Sequence, residues 1–295
     1  MKLLDGQELS NKIIENLKLK VNNLKQNNII PGLGVVLVGD NRESTLYVEL
    51  KEKICLRLGM HFNLIKLPKD VDTEKIICEI ELLNVDNLIH GIIIQLPLPN
   101  HINEEKVLNT VVSTKDVDGF HEKNAGKLFL NRNTNFVPCT PLGCIRLIEH
   151  YGINIEKLKV CIIGCSNIVG LPLSMMLLRR NATVTLCHKH TKDLKEHTLK
   201  ADILCVATGV PGLITKDMVK RDCVILDIGI TKIEDKNNKK GYRLVGDCDY
   251  DNLVNYVDLI TPVPGGVGPL TITMLMKQTI ESASTSASAK SLAIT

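Results

Sequence analysis

Residues 160–180 constrain the fold most, because they read as a strand, a tight polar turn and a helix in succession. Residues 160–163 are a short apolar run rich in β-branched side chains, which is typical of a strand buried in a parallel sheet. Gly164 ends the run, and from Ile168 apolar residues recur at helical spacing. Free backbone N–H groups at the start of such a helix suit the pyrophosphate of a dinucleotide.

The turn departs from the usual G-x-G-x-x-G pattern, because Ser166 occupies the position of the second glycine. Phosphate binding and an ordinary strand-to-helix turn therefore both stay open at this point. A G-x-S-x-G nucleophile elbow does not fit, because Ile168 rather than glycine lies two residues after Ser166.

Composition limits the possible partners. The chain has 295 residues, enough for about two domains. Its net charge of +3 is too small to indicate nucleic-acid binding, and 3% aromatic residues without tryptophan argue against a base-stacking surface. No apolar run approaches the roughly 20 residues that span a membrane. We therefore expect neither a nucleic-acid nor a membrane partner.

The ten cysteines include no C-x-x-C pair, and several, such as Cys161, Cys187 and Cys205, lie within apolar strands. Buried free thiols in a reducing compartment explain this pattern better than disulfides or zinc. The first ten residues carry acidic side chains and no long apolar core, unlike a signal peptide. We expect a cytoplasmic protein without a metal site.

Predicted strands and helices alternate along the chain, which favours parallel sheets with right-handed crossovers. The strands are predicted at 33–38, 63–67, 91–95, 159–163, 183–187, 203–207, 223–228 and 257–260. The main helices are predicted at 7–26, from an N-cap at Ser44 to about 58, and at 73–84, 142–151 and 270–282. Residues 232–242 are interpreted as a surface loop or hairpin, and 284–295 as a disordered tail.

Polar side chains on these elements are candidates for chemistry. Tyr47 and Lys51 lie four residues apart on one predicted helix, and a buried lysine can act as an acid or base, although most such pairs are surface pairs. Gln95 ends an apolar strand at the sheet edge where α/β proteins bind ligands. Asp118 could accept two hydrogen bonds from an amidine-like ring edge, or only stabilise its own turn.

A second test of dinucleotide binding is the end of the next strand, where an NAD site carries an acidic residue. Here His188, Lys189 and His190 follow the strand, which favours a 2′-phosphate and hence NADP over a merely solvated basic turn. The segment Pro264-Gly265-Gly266 could let a backbone approach a ligand closely or could simply join two domains.

Together these segments resemble one family, the bifunctional methylenetetrahydrofolate dehydrogenase/methenyltetrahydrofolate cyclohydrolases, or FolD family. The matching segments follow the family's order along nearly the whole chain. They are STLYVELK at 44–51, QLPLP at 95–99, KDVDGF at 115–120, CTP at 139–141, GCSNIVGLP at 164–172 and TPVPGGVGP at 261–269.

The resemblance implies an α/β fold of two domains with a cleft between them. Residues 1–142, completed by the helix at 270–283, would be the catalytic folate-binding domain. Residues 143–269 would be a Rossmann-type NADP-binding domain through which homodimers pair. Such an enzyme oxidises 5,10-methylenetetrahydrofolate to the 5,10-methenyl compound with NADP⁺ and hydrolyses that to 10-formyltetrahydrofolate.

The resemblance also assigns residues. Lys51 would be the central catalytic residue, Gln95 would hydrogen-bond and tune it, Tyr47 would pack on the folate rings, and Asp118 would anchor the pterin edge. Further folate contacts would be Leu96, Pro264 and Gly268. The cofactor contacts would be Gly164, Cys165, Ser166, Ile168, His188, Lys189, Thr208 and Ile230.

One position departs from the family pattern. Cys165 stands where the family often has Arg, Ala or Ser, and a thiol cannot clamp a phosphate as a guanidinium does. Lys189, with His188, would then supply the positive charge, so we expect NADP preference with modest selectivity.

Other functions remain open on sequence alone. A quinate- or shikimate-type dehydrogenase would share residues 159–230 without needing Tyr47, Gln95 and Asp118 together. A folate- or nucleotide-binding protein without turnover is disfavoured because Lys51 is present. A trifunctional enzyme would need a further ATP-using domain, and a monofunctional dehydrogenase would keep the same residues.

Overall fold

The structure is a computed structural model that describes residues 3–235, 238 and 241–292. The chain divides into two compact units, and the division falls inside three helices: α1 (Gly6–Gln26), α6 (Cys139–His150) and α10 (Val267–Leu292). The three-stranded unit comprises Lys12–Cys139 and Ile272–Thr295, and the five-stranded unit comprises Met1–Asn11 and Thr140–Thr271. The predicted α/β class with two domains is confirmed.

The three-stranded unit is built on a parallel sheet of order β2-β1-β3. Its strands are β1 (Gly32–Val38), β2 (His61–Leu67) and β3 (Gly91–Ile94). Its helices are α2 (Arg42–Arg57), α3 (Thr73–Val85), α4 (Glu104–Thr110) and α5 (Glu122–Phe129). Strands β1 and β3 are buried on both faces, which explains their unbroken apolar runs.

The five-stranded unit has a parallel sheet of order β10-β7-β6-β4-β5. Its strands are β4 (Lys159–Ile163), β5 (Thr183–Cys187), β6 (Ile203–Val206), β7 (Val224–Asp227) and β10 (Leu259–Ile260). Helices α7 (Gly170–Leu178), α8 (Leu194–Thr198) and α9 (Tyr250–Leu253), a 3₁₀ turn (Lys216–Met218) and a hairpin of β8 (Thr231–Glu234) and β9 (Tyr242–Val245) complete it. Because β5 lies on one side of β4 and β6 on the other, the winding reverses between β4 and β6, where α/β sheets bind ligands.

Helix α2 begins earlier than predicted. Asn41, not Ser44, is its N-cap, and the Asn41 side chain accepts hydrogen bonds from the backbone N–H groups of Glu43 and Ser44, both at 3.0 Å. Ser44 is instead buried within the helix. Asparagine is as strong an N-cap as serine, so the sequence allows the helix to begin at this earlier position.

The predicted disordered tail is wrong for residues 284–292, because α10 continues to Leu292; residues 293–295 lie outside the described residues. Ser284, Thr285 and Ser286 turn their hydroxyls back to the carbonyl four residues earlier, at 2.9–3.0 Å. Their polar groups are thereby satisfied inside the helix, and the interleaved alanines are strong helix formers.

The N-terminal segment also differs from its predicted place, since Met1–Asn11 groups with the five-stranded unit rather than with the catalytic domain. The Leu4 N–H donates to the Ile260 carbonyl at 3.0 Å, and Leu3 pairs with the same residue, so the segment extends the edge of that sheet beside β10. The region 232–242 takes the hairpin alternative, although residues 236, 237, 239 and 240 lie outside the described residues.

Every helix in the described part of the chain is too short or too polar to cross a bilayer.

Two glycines shape the turn between β4 and α7. Gly164 has φ +112°, and a Cβ there would lie 2.2 Å from the Ala207 carbonyl oxygen, while a Cβ on Gly170 would lie 1.8 Å from the Gly164 oxygen. The backbone therefore closes on itself more tightly than any side chain permits.

We expect Gly164→Ala to destabilise the five-stranded unit by about 3 kcal/mol, because it combines an unfavourable φ with a backbone clash. Gly152→Ala is the matched control, since Gly152 also has positive φ but open space around it, and about 1 kcal/mol is expected. The free energy of unfolding of each variant is measured by denaturant unfolding, with labelling of the buried Cys205 detected by mass spectrometry as the readout. Equal losses for the two variants would contradict the packing argument.

Candidate active site

Lys51 lies on α2 and reaches the end of β3. Its Nζ donates to Gln95 Oε1 at 2.8 Å, the hydrogen bond that the resemblance implied. The Gln95 backbone N–H continues the sheet by donating to the Val36 carbonyl at 2.9 Å, and its Nε2 donates to the Leu96 carbonyl at 2.7 Å. Because the amide NH₂ group is engaged by Leu96, the amide oxygen faces Lys51.

Asp118 lies in the tight turn that follows the loop after α4. Gly119 has φ +73°, and a Cβ there would lie 2.5 Å from the Val137 carbonyl carbon, so this turn requires glycine. The loop is packed against the 137–139 segment, which carries Cys139. The structure therefore brings Asp118 and Cys139 close to Lys51, since both act electrostatically on its ammonium group.

Asp116 holds this turn in place, a role that the sequence interpretation missed. Its buried carboxylate accepts hydrogen bonds from the N–H groups of Phe120 (3.1 Å) and His121 (3.0 Å) and from Asn124 Nδ2 (2.7 Å). Burial raises the pKa of Asp116 to about 6 despite these donors. The signal in the sequence was the first aspartate of Asp-Val-Asp-Gly, with an asparagine eight residues later.

Electrostatics make Lys51 suited to proton transfer. Burial lowers the pKa of Lys51, while the nearby Asp118 carboxylate acts in the opposite direction. Burial also raises the pKa of the Cys139 thiol well above its usual range, so Cys139 stays protonated. Tyr47, one helical turn before Lys51, leaves 40% of its surface exposed.

In the five-stranded unit, the predicted cofactor residues of the first turn follow β4. Cys165 is half-buried and its Sγ donates to the Cys187 carbonyl at 3.2 Å, so the thiol faces the neighbouring strand. Ser166 and Ile168 are exposed, and Ser166 Oγ accepts from the Val169 N–H at 3.1 Å. The turn thus presents a small polar surface at the start of α7, where a phosphate can be accommodated.

The segment after β5 carries positive charge and no carboxylate. His188 and Lys189 are both exposed, and the His188 N–H donates to Thr191 Oγ1 at 2.9 Å. The His190 N–H donates to His188 Nδ1 at 3.2 Å. These bonds fold the basic residues into an ordered turn at the carboxyl end of the sheet.

Thr208 follows β6, on the other side of the point where the winding reverses. Its N–H and Oγ1 donate to Asp247 Oδ2 at 2.6 and 2.9 Å, and the Gly209 N–H donates to the same oxygen at 3.1 Å. Asp247 is fully buried, and its Oδ1 has no hydrogen-bond partner among the described residues. The sequence interpretation missed Asp247, because no motif linked it to a loop about 40 residues earlier.

A second buried carboxylate fixes Asp247 itself. Asp227, at the end of β7, accepts from the backbone N–H groups of Asp247 and Cys248, both at 2.9 Å. Burial raises the pKa of Asp227 to about 6. The loop of Thr208 is therefore held through Asp247 to the end of β7.

The remaining predicted residues of this unit lie near the start of α10. A Cβ on Gly268 would lie 3.3 Å from Ile230 Cδ1, so the structure brings these two together, and Pro264 is exposed on the preceding loop. The predicted site residues divide between the two units. The three-stranded unit carries Tyr47, Lys51, Gln95, Leu96 and Asp118, and the five-stranded unit carries the others.

Within the described residues, no group of three or more His, Cys, Asp or Glu could hold a metal ion.

Family models match both units. Residues 4–118 match the catalytic domain of tetrahydrofolate dehydrogenase/cyclohydrolase, and residues 138–287 match its NAD(P)-binding domain. The chain belongs to the tetrahydrofolate dehydrogenase/cyclohydrolase family. The predicted family, enzyme class and nicotinamide cofactor are thereby confirmed.

Relatives and solved structures of this family cover nearly the whole chain. The bifunctional protein FolD of Sulfurovum sp. (strain NBC37-1) is 48% identical, covering 96% of this chain and 99% of that protein. The crystal structure of the Campylobacter jejuni bifunctional enzyme FolD has 44% identity and a TM-score of 0.92, covering 97% of this chain and 99% of that one. The Trypanosoma brucei FolD, complexed with NADP cofactor and inhibitor, has 34% identity and a TM-score of 0.93, covering 96% and 97%.

The Asp247 arrangement predicts a change in cofactor affinity. We expect Asp247→Ala to raise the Kd for NADP⁺ about tenfold, because the N–H groups of the Thr208 loop lose their shared acceptor. Asp247→Asn is the control, since it keeps one acceptor oxygen without the charge, and a near-normal Kd is expected. Isothermal titration calorimetry measures both. An unchanged Kd in Asp247→Ala would contradict the role of this carboxylate.

Proposed function

We propose that this chain oxidises 5,10-methylenetetrahydrofolate to 5,10-methenyltetrahydrofolate with NADP⁺ and hydrolyses the product to 10-formyltetrahydrofolate. The observation that carries the proposal is Lys51, a lysine of lowered pKa whose Nζ is held at 2.8 Å from Gln95 Oε1. It lies in a chain that matches both the catalytic and the NAD(P)-binding domain of the family.

The five-stranded unit fits a dinucleotide. Gly164 and Gly170 let the backbone of the turn between β4 and α7 close tightly, and the basic turn of His188 and Lys189 lies after the adjacent strand. Bound NADP⁺ would supply the hydride acceptor for the methylene carbon. The task of this chain in the oxidation is then to orient the folate and the cofactor, which is a problem of positioning.

The hydrolytic step uses Lys51. The methenyl carbon between N5 and N10 is electron-poor, and water attacks it. Neutral Lys51 accepts one proton from the water as the new C–O bond forms, and returns it to N5 as the C–N5 bond breaks. The hydroxyl of the adduct releases its remaining proton to solvent as the C=O bond of the formyl group forms on N10. Burial makes this exchange feasible near neutral pH, because it lowers the pKa of Lys51 toward the working range.

Other predicted residues orient the folate. The Asp118 carboxylate accepts hydrogen bonds from the flat donor edge of the pterin, and the exposed Tyr47 ring packs against the folate rings. Leu96, Pro264 and Gly268 stay predicted folate contacts, and Ile230 stays a predicted contact of the nicotinamide end.

We also place this activity in cytoplasmic one-carbon metabolism, where 10-formyltetrahydrofolate supplies purine biosynthesis. The chain would act as a homodimer paired through the five-stranded unit and would accept polyglutamylated folates. The support for these points is the family resemblance of the sequence.

The proposal is tested by following reduced cofactor and methenyl folate separately. The wild type should reduce NADP⁺ with little methenyl build-up. Lys51→Met should slow methenyl hydrolysis by about 10²–10⁴-fold, the usual contribution of a general acid–base group. Lys53→Met is the control, because Lys53 is exposed on the same helix. A wild type that reduces neither NADP⁺ nor NAD⁺ would remove the proposed function, and normal hydrolysis in Lys51→Met would remove the role of Lys51.

Cofactor preference tests the basic turn. Lys189→Ala should raise the KM for NADP⁺ about tenfold and leave that for NAD⁺ nearly unchanged, because only NADP⁺ carries the 2′-phosphate that the ammonium attracts. Lys192→Ala is the control, since Lys192 is an exposed cation of the same segment. Steady-state kinetics with both cofactors measure the ratio. Equal losses for NADP⁺ and NAD⁺ would argue against a 2′-phosphate contact.

A further inference from the structure

Gln278 on α10 is a buried polar side chain that neither the motifs nor the mechanism above use. It is 3% exposed, and its amide is fully hydrogen-bonded within the three-stranded unit. Oε1 accepts from the Val137 N–H at 3.1 Å, and Nε2 donates to the carbonyls of Val117 at 2.7 Å and Val137 at 2.9 Å. With one acceptor and two donors in use, the amide has only one possible orientation.

These bonds join the two backbone segments that carry side chains acting on Lys51. Val117 directly precedes Asp118, and Val137 lies two residues before Cys139. Gln278 Nε2 also lies 3.4 Å from Cys139 Sγ, and that thiol donates to the Val117 carbonyl at 3.4 Å. One amide thus fixes the separation of the 117–118 and 137–139 segments.

We propose that Gln278 is a positioning residue for the folate site, holding Asp118 and Cys139 in place around Lys51. The inference deepens the proposed function and rests on it. Gln278 touches none of the reacting atoms and acts through the two segments that it joins. A purely structural role would affect the stability of α10 without changing how the enzyme handles folate.

Substitution by methionine separates the two possibilities. Gln278→Met keeps a long unbranched side chain but removes every hydrogen bond of the amide. The Val137 N–H and carbonyl lose this partner, the Val117 carbonyl keeps only the weaker bond from the Cys139 thiol, and the Asp118 turn is released. Asp118 and Cys139 are the titratable groups that act on Lys51, and both raise its pKa. If Asp118 moves away, the pKa of Lys51 falls, and the limb of the pH profile that reports Lys51 moves to lower pH.

The experiment measures kcat/KM for methylenetetrahydrofolate, the pH profile of methenyl hydrolysis and the Kd for NADP⁺. For Gln278→Met we expect kcat/KM to fall about tenfold, mainly through KM, with the limb shifted to lower pH and the Kd unchanged. Ser282→Ala is the matched control: Ser282 is buried one turn later on α10, and its Oγ donates to the Thr114 carbonyl at 3.2 Å. It should keep wild-type kinetics.

Wild-type kcat/KM and pH profile in Gln278→Met would overturn the proposal, as would an equal loss in Ser282→Ala. If Gln278→Met does not fold, as judged by NADP⁺ binding and circular dichroism, Gln278→Asn is measured in the same way. Its amide is one methylene shorter, so it cannot reach both segments, and the same losses are expected. An inactive wild type would instead count against the proposed function.

Discussion

The hydrogen bond between Lys51 and Gln95 is the interaction on which the proposed chemistry depends. Burial removes water from the Lys51 ammonium group and lowers its pKa. The neutral Gln95 amide, at 2.8 Å, orients the Lys51 side chain without adding a negative charge that would raise the pKa again. A carboxylate in place of Gln95 would hold the proton on Lys51, and an apolar residue would leave the ammonium unpaired. The end of β3 supplies a fixed backbone for this amide, because the Gln95 N–H is still part of the sheet.

The two units stabilise the loops that carry predicted ligand contacts in the same physical way. In each, a buried carboxylate accepts three hydrogen bonds from one short segment: Asp116 in the turn of Asp118, and Asp247 under the loop of Thr208. Several N–H donors to one carboxylate offset the cost of burying its charge and leave the loop little conformational freedom.

The sequence predicted the elements of the sheets well, because apolar runs such as residues 160–163 and 203–206 are buried on both sides and leave little ambiguity. Lys51, Gln95 and Asp118 were predicted as site residues from the resemblance and from their places on a helix face, at a strand end and in a turn, and the structure brings them together in one unit. Asp116, Asp247 and Gln278 were missed, because each acts on backbone groups that are distant in sequence or outside any motif. The helical state of residues 284–292 was missed because serine-rich composition was weighed above the i−4 hydroxyl bonds that a helix provides.

Cys165 shows how one position can shift the basis of cofactor choice. Its thiol donates to the Cys187 carbonyl at the end of β5, and a thiol lacks the charge of a guanidinium. The positive charge that we propose for a 2′-phosphate comes from the turn after β5, where Lys189 is a point charge without the planar fork of arginine. Such a contact attracts the phosphate without fixing its geometry. Such a site would distinguish NADP⁺ from NAD⁺ mainly by charge. Because salt screens charge, its preference for NADP⁺ should weaken as ionic strength rises.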